Sequence, residues 1–414
     1  MKKFKKFGAN CFTILASALM LCTSQTAGAQ QSSESSAFSD GVVKVGVLTD
    51  LSGVYSDVGG KGSIIAAEMA VKDFGGSMNG VPIEIISADH QSKADEGALV
   101  ARTWFDREKV DTIVGMNNSS VALAVVNIAK TDNRIVINTG AGTTALTNDN
   151  CAPTSIHYNY DTYALSHGTA KYVVRNGGKS WYFVTADYSF GKQLEKDATA
   201  VVQENGGKIL GSTRAPINSS DFSSYLLSAQ SSGAQIIGLA NAGKDTINAI
   251  KTAHQFGITE TQKLAGLLVF IQDIHSLSLD VAKGLYVTTG FYWDRDDETR
   301  AWSKRFYDLV GKMPSMNHAA TYSATLHYLR AAKAAGTDAS DMVIKQMREM
   351  PVDDFYSHGG EIRADGRMIH DMYLVQVKSP DESKYPWDYY RIVATIPQDD
   401  AFMPLSESTC PLLK

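Results

Sequence analysis

Three loops in the first half of the chain combine glycine with small polar residues, a composition that offers N–H and hydroxyl donors to an anion. The loops are residues 49–59, 115–120 and 138–144. The second loop runs into a predicted helix that starts near Val121, so Ser119 or Ser120 is a natural N-cap beside unpaired backbone N–H groups. Such a site can hold a carboxylate without an arginine. Helix capping accounts for each loop alone, but three similar loops together favour ligand binding.

Three further segments follow predicted strands in the second half of the chain: residues 187–191, 241–245 and 291–293. Asp245 falls in the first turn of its predicted helix, where the helix dipole stabilises an acid. It is therefore either a cap or a partner for a cation or donor group of a ligand. The aromatic run 291–293 suits a pocket wall, a hinge or the core. These segments are candidates for the opposite side of the same site.

Sequence patterns of the common catalytic and cofactor sites are missing. The chain contains no G-x-S-x-G elbow, no H-E-x-x-H helix and no P-loop. Gly60-Lys61-Gly62 lacks the third glycine of a dinucleotide fingerprint, and the nine histidines are scattered. The acidic run 294–298 lacks the Asp-Gly spacing of a calcium loop and is typical of a helix start. We therefore expect a protein that is not an enzyme and that uses no metal and no cofactor.

Short β-branched runs alternate with amphipathic helical stretches along most of the chain. One such series extends from about Val42 to Asn138, and a second begins near Tyr160. This alternation predicts an α/β fold with parallel-rich sheets that carry helices on both faces. Ligands in open α/β sheets bind outside the carboxyl ends of the strands. Two lobes of this kind would therefore form a cleft lined by the loops described above.

The order of these elements predicts six segments. We expect a signal peptide, a flexible leader, a first lobe, a second lobe, a return to the first lobe, and a return to the second lobe with a C-terminal tail. In that order the segments are residues 1–29, 30–40, 41–160, 161–292, 293–345 and 346–414.

The first thirty residues are typical of an exported precursor. Four lysines lie within residues 1–6, an apolar run covers residues 11–22, and residues 26–30 read Thr-Ala-Gly-Ala-Gln. A basic start, a short apolar run and a small-x-small ending predict cleavage after Ala29 and a mature protein in the periplasm. Cys22 leaves open the alternative that the protein is a lipoprotein. Leu21 argues against it, because a lipoprotein prefers a small residue immediately before its cysteine.

The net charge and the cysteine content further reduce the number of possible functions. Loss of residues 1–29 removes four lysines and no acids, which changes the formal net charge from −5 to −9. An acidic chain with no basic run is a poor partner for nucleic acid or an anionic membrane. Cys151 and Cys410 remain as a pair in an oxidising compartment, so a disulfide is expected, with free thiols or a metal pair as alternatives. Closing so long a loop would stabilise the fold by roughly 4–5 kcal/mol.

Taken in order, the motifs resemble those of the leucine/isoleucine/valine-type periplasmic binding proteins, the solute receptors of ABC importers. The similar segments are residues 45–53, 114–122, 187–191 and 360–366. The resemblance extends from Val43 to about Val377. It implies a type I periplasmic binding fold, in which two Rossmann-like lobes joined by three crossings close as a Venus flytrap.

The same resemblance implies roles for individual residues. In that family a serine and a threonine bind the ligand carboxylate, and they match Ser119 and Thr143, with help from the backbone at Ala141. A tyrosine and an acid bind the ammonium group of amino acids. Those two positions hold Phe190 and Asp245 here.

The chain departs from the family pattern at three positions, and these departures affect which ligand we expect. Phe190 lacks the tyrosine hydroxyl, Asp245 is one methylene shorter than the usual glutamate, and Gly140 stands where a proline is common. These changes favour an aromatic carboxylate over an aliphatic amino acid, although Tyr188 offers a replacement hydroxyl.

We therefore expect the periplasmic solute-binding component of an ABC importer: a monomer that captures a small carboxylate-bearing ligand by cleft closure and delivers it to a permease in the inner membrane. The ligand would be a branched-chain or other amino acid or, alternatively, an aromatic carboxylate or a short amide. Two other classes of protein remain as alternatives. One is a ligand sensor for a membrane kinase, and the other is a secreted hydrolase. The expected ligand-binding residues are Tyr55, Val58, Asn118, Ser119, Ala141, Gly142, Thr143, Tyr188, Phe190, Asn241, Asp245 and Tyr292.

Overall fold

The computed structural model describes residues 38–414. The predicted signal peptide (residues 1–29) and all but the last residues of the predicted leader (30–40) lie outside this range. Within it, no helix combines the length and the hydropathy that a bilayer crossing requires.

The first sheet has six strands in the order β2-β3-β1-β4-β5-β6. They are β1 Val43–Thr49, β2 Ser77–Met78, β3 Val81–Asp89, β4 Thr112–Gly115, β5 Ile135–Asn138 and β6 Ser155–His157. All neighbours pair in parallel except β2 and β3. Central strands β1, β4 and β5 are buried along nearly their whole length, as expected for a parallel sheet covered on both faces. The connecting helices are α1 Gly60–Phe74, α2 Ala94–Thr103 and α3 Ser119–Thr131.

The second sheet has four parallel strands in the order β10-β9-β7-β8. They are β7 Ser180–Ala186, β8 Lys208–Ala215, β9 Ile236–Ala240 and β10 Lys263–Gly266. The helices of this region are α4 Thr162–Leu165, α5 Lys171–Arg175, α6 Ser189–Glu204, α7 Ser223–Ser231, α8 Lys244–Gln255, α9 Ile271–Leu277 and α10 Leu279–Ala282. The helical pattern of residues 163–176 predicts one helix, and α4 and α5 do form one continuous helix that widens into a π turn at Ser166–Ala170.

The last part of the chain adds two small antiparallel sheets. Strands β11 Tyr286–Thr289, β15 Met372–Val377 and β16 Tyr390–Ile396 form one, and β12 Val352–Asp353, β13 His358–Ile362 and β14 Met368–Ile369 form the other. Helices α11 Asp297–Val310, α12 Met316–Ala335, α13 Ser340–Glu349 and α14 Gln398–Ala401 accompany them. Short 3-10 or π turns complete the chain at Trp104–Glu108, Thr144–Thr147, Ile258–Glu260, Leu405–Glu407 and Pro411–Leu413.

Helix α12 brings the late part of the chain back to the first sheet. It is buried along nearly its whole length and packs against α1. Its start is fixed by Ser315, whose hydroxyl accepts the N–H of His318 at 3.2 Å and donates to the carbonyl of Val58 at 2.7 Å. This capping contact places the first turn of α12 beside the loop that follows β1.

Cys151 and Cys410 form a disulfide with a Cα–Cα distance of 5.7 Å, which confirms the predicted pairing. Both residues are buried. Thr409 adds a hydrogen bond from its N–H to the side chain of Asn148 at 2.9 Å. The C-terminus is thus tied to the segment between β5 and β6.

Candidate functional site

A narrow cavity with about 10 Å³ of free space, room for about one water molecule, lies at the carboxyl ends of the strands of both large sheets. Fourteen residues line it: Tyr55, Val58, Asn117, Ser119, Gly140, Ala141, Gly142, Tyr160, Tyr188, Phe190, Ala242, Leu268, Phe270 and Asn317. They follow strands β1, β4, β5, β7, β9 and β10, with additions from Tyr160 and from the first turn of α12. This is the position at which open α/β sheets bind ligands.

The loop after β1 carries Tyr55 and Val58 and is held by Asp50. The buried Asp50 carboxylate accepts the N–H groups of Gly53 at 2.7 Å and Tyr55 at 3.1 Å, and the hydroxyl of Ser92 at 2.7 Å. These three bonds fix the turn, so Tyr55 enters the cavity from a rigid backbone.

Asn117 supplies an unpaired donor to the cavity. Its Oδ1 accepts the hydroxyl of Thr49 at 2.8 Å, whereas its buried Nδ2 has no hydrogen-bond partner within residues 38–414. Two glycines clamp this side chain, since a Cβ atom at Gly59 or at Gly140 would lie 2.4 Å from it. Buried amide groups in proteins are almost always paired, so an unpaired one that lines a cavity indicates a ligand contact.

Asn118, which the sequence analysis placed in the site, has a different role. Its Oδ1 caps α3 by accepting the N–H groups of Ser120 at 2.9 Å and Val121 at 3.2 Å. The side chain is buried and does not line the cavity. Ser119 does line it, and its hydroxyl oxygen accepts the N–H of Thr143 at 3.3 Å, which leaves the hydroxyl proton to be donated to a ligand.

The segment after β5 forms the floor of the cavity through Gly140, Ala141 and Gly142. Asn138 holds it, because its side chain accepts the N–H of Ala141 at 3.1 Å and donates to the Ala141 carbonyl at 2.8 Å. The N–H of Ala141 is therefore already used. Thr143 is buried next to this segment without lining the cavity, and its hydroxyl oxygen accepts the N–H of Ala145 at 3.4 Å.

Five aromatic rings make up most of the remaining lining, namely Tyr55, Tyr160, Tyr188, Phe190 and Phe270. The hydroxyls of Tyr55 and Tyr188 are 2.5 Å apart and connect the loop after β1 to the loop after β7. Tyr160 donates its hydroxyl to the Gly140 carbonyl at 2.5 Å, and its ring meets Phe270 edge-on at 6.2 Å. The two sides of the cavity therefore contact each other directly.

Further hydrogen bonds join the two sides around the cavity. Lys244 donates its backbone N–H to the Val54 carbonyl at 3.3 Å and its Nζ to the Gly53 carbonyl at 3.0 Å. The hydroxyls of Ser120 and Ser189, at the starts of α3 and α6, are 3.0 Å apart. These contacts describe a closed cleft.

The cavity is electrically neutral. None of the fourteen lining residues is charged. Burial is the main cause that raises the pKa of Tyr55 and of Tyr188 well above the ordinary tyrosine value, so both phenols stay protonated. No group of three or more His, Cys, Asp or Glu side chains in the described part of the chain is arranged to hold a metal ion.

Asp245 lies close to the cavity but does not line it. Its Oδ2 accepts the N–H of Asn218 at 3.0 Å, and its buried Oδ1 has no partner among the described residues. Burial raises the pKa of Asp245 to about 6. Its negative charge contributes to the raised pKa values of Tyr55 and Tyr188, which places the carboxylate near this tyrosine pair.

Two other predicted residues lie beside the cavity. Asn241 accepts the hydroxyl of Thr246 at 2.7 Å, and its neighbour Ala242 contacts the cavity instead. Tyr292 lines a second, separate cavity whose wall includes Phe270. Seven of the twelve expected residues thus line the main cavity, and they are Tyr55, Val58, Ser119, Ala141, Gly142, Tyr188 and Phe190.

Seven residues that line the cavity are not among the expected ligand-binding residues: Asn117, Gly140, Tyr160, Ala242, Leu268, Phe270 and Asn317. Asn117, Gly140 and Ala242 directly adjoin expected residues in the same loops, so treating each loop as a unit would have included them. Asn317 carries no such signal, because only the packing of α12 on α1 brings it to the site.

Two α/β sheets whose strand ends meet around a cavity with a neutral lining are typical of a cleft-closing binding protein. The chain belongs to the family described as periplasmic binding protein, whose family model matches residues 42–384. This result confirms the predicted family and its type I fold of two α/β lobes.

Relatives and solved structures support the same assignment. A periplasmic binding protein from Burkholderia mallei is 53% identical, with a TM-score of 0.90 over 91% of this chain and 100% of that one. A branched chain amino acid ABC transporter periplasmic ligand-binding protein from Burkholderia xenovorans LB400 is 40% identical, with a TM-score of 0.80 over 90% and 100%. The Leu/Ile/Val-binding protein homolog 6 of Brucella melitensis is 25% identical over 57% of this chain, and the match spans only 59% of that protein's length.

Proposed function

We propose that this protein is the periplasmic solute-binding component of an ABC importer and that its ligand is a small aromatic monocarboxylate. Family membership and the name of the similar Burkholderia xenovorans protein support the importer role. The observation that carries the ligand class is the lining of the cavity, which combines five aromatic rings and an unpaired amide donor with no charged side chain.

The carboxylate would lie at the start of α3. There it would accept hydrogen bonds from Asn117 Nδ2 and from the hydroxyl of Ser119, and the N-terminal end of the α3 dipole would favour its negative charge. Charge-assisted hydrogen bonds of this kind contribute about 1.5–3 kcal/mol each. No arginine or lysine is needed, which agrees with the neutral lining.

The ring of the ligand would lie among Tyr160, Phe190 and Phe270. Ring pairs in offset or edge-on geometry contribute roughly 0.5–1.5 kcal/mol beyond the area they bury. The closed cavity has only about 10 Å³ of free space, so the ring would enter as the lining side chains move apart.

A free amino acid is the second candidate, and one observation favours it: Asp245 has an unpaired, buried Oδ1 near the tyrosine pair. This carboxylate, however, does not line the cavity. In the present arrangement an ammonium group inside the cavity would lack a counter-charge, and burying an unpaired charge is costly. We therefore rank the aromatic acid first.

Binding would proceed by closure of two lobes, with the segments 41–160 and 293–345 on one side and the segment 161–292 with strands β15 and β16 on the other. The Cys151–Cys410 disulfide ties the C-terminal end to the first side. Ligand contacts available only in the closed form shift the equilibrium towards it. The loaded, closed protein would then be recognised by a permease in the inner membrane.

Calorimetry on the protein stripped of ligand by unfolding and refolding tests the ligand class. Benzoate should bind at least tenfold more tightly than leucine, which corresponds to about 1.4 kcal/mol. Asn117→Ala should weaken benzoate binding by roughly tenfold or more, whereas the matched variant Asn118→Ala should lower stability and leave affinity nearly unchanged. Tighter binding of leucine, or equal effects of the two asparagine variants on benzoate affinity, would contradict the proposal.

A further inference from the structure

Asn317 lines the main cavity from the first turn of α12, and its side chain is buried. Its Oδ1 accepts a side-chain N–H of Asn159 at 3.1 Å. An amide group has one acceptor oxygen and one nitrogen that carries two donor hydrogens. Because the oxygen is already engaged, Nδ2 is the part of the Asn317 amide that remains for a ligand.

The orientation of the Asn317 amide follows from that of Asn159. Asn159 Nδ2 also donates to the backbone carbonyl of Thr139 at 3.0 Å, and its Oδ1 accepts the hydroxyl of Tyr356 at 2.8 Å. A backbone carbonyl can only accept, so Asn159 has to present its nitrogen to Thr139 and, with the same nitrogen, to Asn317. One carbonyl thereby fixes the direction of two amides in series.

Asn159 is enclosed by distant parts of the chain. A Cβ atom at Gly290, which follows β11, would lie 3.0 Å from Asn159 Oδ1 and 3.1 Å from the Tyr356 hydroxyl. The Asn159 carbonyl also accepts a hydrogen bond from the buried guanidinium of Arg367. This crowding restricts the Asn159 side chain to one orientation, which suits it to hold its neighbour in place.

Asn317 lies at the same end of the cavity as Asn117. The residue after it, His318, has its Nε2 2.8 Å from the Gly59 carbonyl. A Cβ atom at Gly59 would in turn lie 2.4 Å from the Asn117 side chain. The start of α12 therefore adjoins the loop that encloses the unpaired amide of Asn117.

Tyr160 connects the same two asparagines along a second route. Its hydroxyl donates to the Gly140 carbonyl at 2.5 Å, and a Cβ atom at Gly140 would lie 2.4 Å from Asn117 Nδ2. Burial raises the pKa of Tyr160, and a hydrogen bond from the Asn317 side chain opposes that rise. One Nδ2 hydrogen of Asn317 is thus directed to Tyr160, and the second remains for the ligand.

We propose that Asn317 determines specificity for a carboxylate: its Nδ2 donates to one carboxylate oxygen of the ligand, and Asn159 is the positioning residue that aims this donor. The inference rests on the proposed function, in which Asn117 and Ser119 bind the same carboxylate. An amide that is prevented from turning offers only a donor. It therefore favours an acceptor oxygen and disfavours a ligand that presents an N–H group there.

Calorimetry with benzoate and its amide, benzamide, tests the role of Asn317, because benzamide replaces one acceptor oxygen by a donor nitrogen. The readout is the ratio of the two affinities, since a variant that only disturbs the fold weakens both. Asn317→Asp replaces the donor by an acceptor, so the preference for benzoate should fall by roughly tenfold or more.

Asn118→Asp is the matched control for the new charge. It places a carboxylate at the start of α3 and keeps the helix cap, because Asp and Asn cap helices about equally well. Its affinity ratio should fall less than that of Asn317→Asp, since no donor to the ligand is lost. Equal falls in the two variants would overturn the inference.

Tyr356→Phe tests the positioning role of Asn159. It removes the hydroxyl that Asn159 Oδ1 accepts, so the preference for benzoate over benzamide should fall by roughly two- to tenfold. The control is Tyr158→Phe, whose ring stacks on Tyr356 at 6.1 Å while its hydroxyl is 2.8 Å from the hydroxyl of Ser323. This control should lose stability and keep the preference. The same change of preference in both variants would show that Asn159 does not aim the donor.

Leucine and leucinamide, measured in the same way, separate this inference from the proposed ligand class. If leucine binds more tightly than benzoate, the aromatic class fails, and the ratio of leucine to leucinamide affinity then tests Asn317 in the same variants. A wild-type protein that binds an acid and its amide equally would contradict the role of Asn317 alone. If neither acid binds, the carboxylate site fails and this inference fails with it.

Discussion

The two sides of the main cavity differ in how their side chains are held. On the side of the first sheet, hydrogen bonds within the protein fix the polar groups: Thr49 holds Asn117, Thr143 donates to Ser119, and Asn138 holds Ala141. On the side of the second sheet, Phe190, Leu268 and Phe270 are placed by packing. The Tyr188 hydroxyl is the polar contact there, and it reaches across to Tyr55.

This difference separates two tasks. A polar group that is already oriented loses little side-chain entropy when the ligand binds, so the first side is suited to supplying affinity for a carboxylate. Apolar side chains that pack around the ligand respond to its shape, so the second side is suited to selecting the rest of the molecule. Closure then adds the contacts between the two sides.

The largest expected effect comes from disturbing the fixed side with Gly140→Ala. The new Cβ would lie 2.4 Å from Asn117 Nδ2, so the amide would have to leave its place. We expect ligand affinity to fall by roughly 100-fold, about 2.7 kcal/mol, and the free energy of unfolding to fall by about 1–3 kcal/mol. Gly336→Ala is the control for affinity alone. Nothing lies within 4 Å of its added Cβ, but its φ of 71° means that this variant should also lose stability. Equal affinity in the two variants would show that Asn117 is not a ligand contact.

A comparison of Ser119→Ala with Thr143→Val tests which hydroxyl on the fixed side reaches the ligand. Ser119 lines the cavity, and its loss should weaken binding by about 1.5–3 kcal/mol, the range for a bond to a charged group. Thr143 accepts the Ala145 N–H, so Thr143→Val should mainly lower stability, by about 0.5–2 kcal/mol. Calorimetry and chemical denaturation separate the two results. A larger loss of affinity in Thr143→Val would restore the role that the family resemblance implies for Thr143.

Asp245→Asn tests the electrostatics of the second side. The pKa of Asp245 is raised to about 6, so the folded protein binds this proton more tightly than the unfolded chain does. The unfolded carboxyl ionises near pH 4, so the contribution of Asp245 to the stability of the folded state falls as the pH rises from about 4 to about 6. Asp245→Asn should flatten this slope and raise the free energy of unfolding at pH 7 by about 1–3 kcal/mol.

The control for that slope is Asp187→Asn, because Asp187 is exposed and Lys192 lowers its pKa. The Asp187 variant should not flatten the loss of stability between pH 4 and 6. Asp245→Asn also separates the two candidate ligands. It should leave the affinity for an aromatic acid unchanged, whereas a protein that binds an ammonium group would lose most of its affinity.

Much of the fold was predictable because buried parallel strands and amphipathic helices leave strong patterns. The strand after α8 shows where such a pattern misleads. Residues 264–270 read as one strand, but β10 ends at Gly266, and Leu268 and Phe270 continue as a loop that lines the cavity. An apolar run indicates burial, and it does not distinguish burial in a sheet from burial against a ligand site.

For the candidate site, the sequence predicted which loops contribute residues, but it did not predict which side chains of each loop face the cavity. Asn117 and Asn118 are adjacent and chemically identical, and the backbone decides between them. Met116 has a positive φ of 62°, which turns the chain so that Asn118 caps α3 while Asn117 faces the cavity. Asn317 reaches the site through the packing of α12 on α1, a contact between distant parts of the chain. Neither fact is local to the sequence.

The smallest expected effect concerns the contact that joins the two sides. Tyr188→Phe removes the hydroxyl that is 2.5 Å from the Tyr55 hydroxyl, and Tyr55→Phe removes its partner. Each variant should weaken ligand binding by about 0.5–1.5 kcal/mol, mainly through faster dissociation, because the bond exists only when the cleft is closed. The double variant should cost little more than either single one, since the same bond is lost in all three. Additive losses in stopped-flow dissociation rates would mean that each phenol contacts the ligand separately, and the tyrosine pair would then belong to the binding site and not to the closing contact.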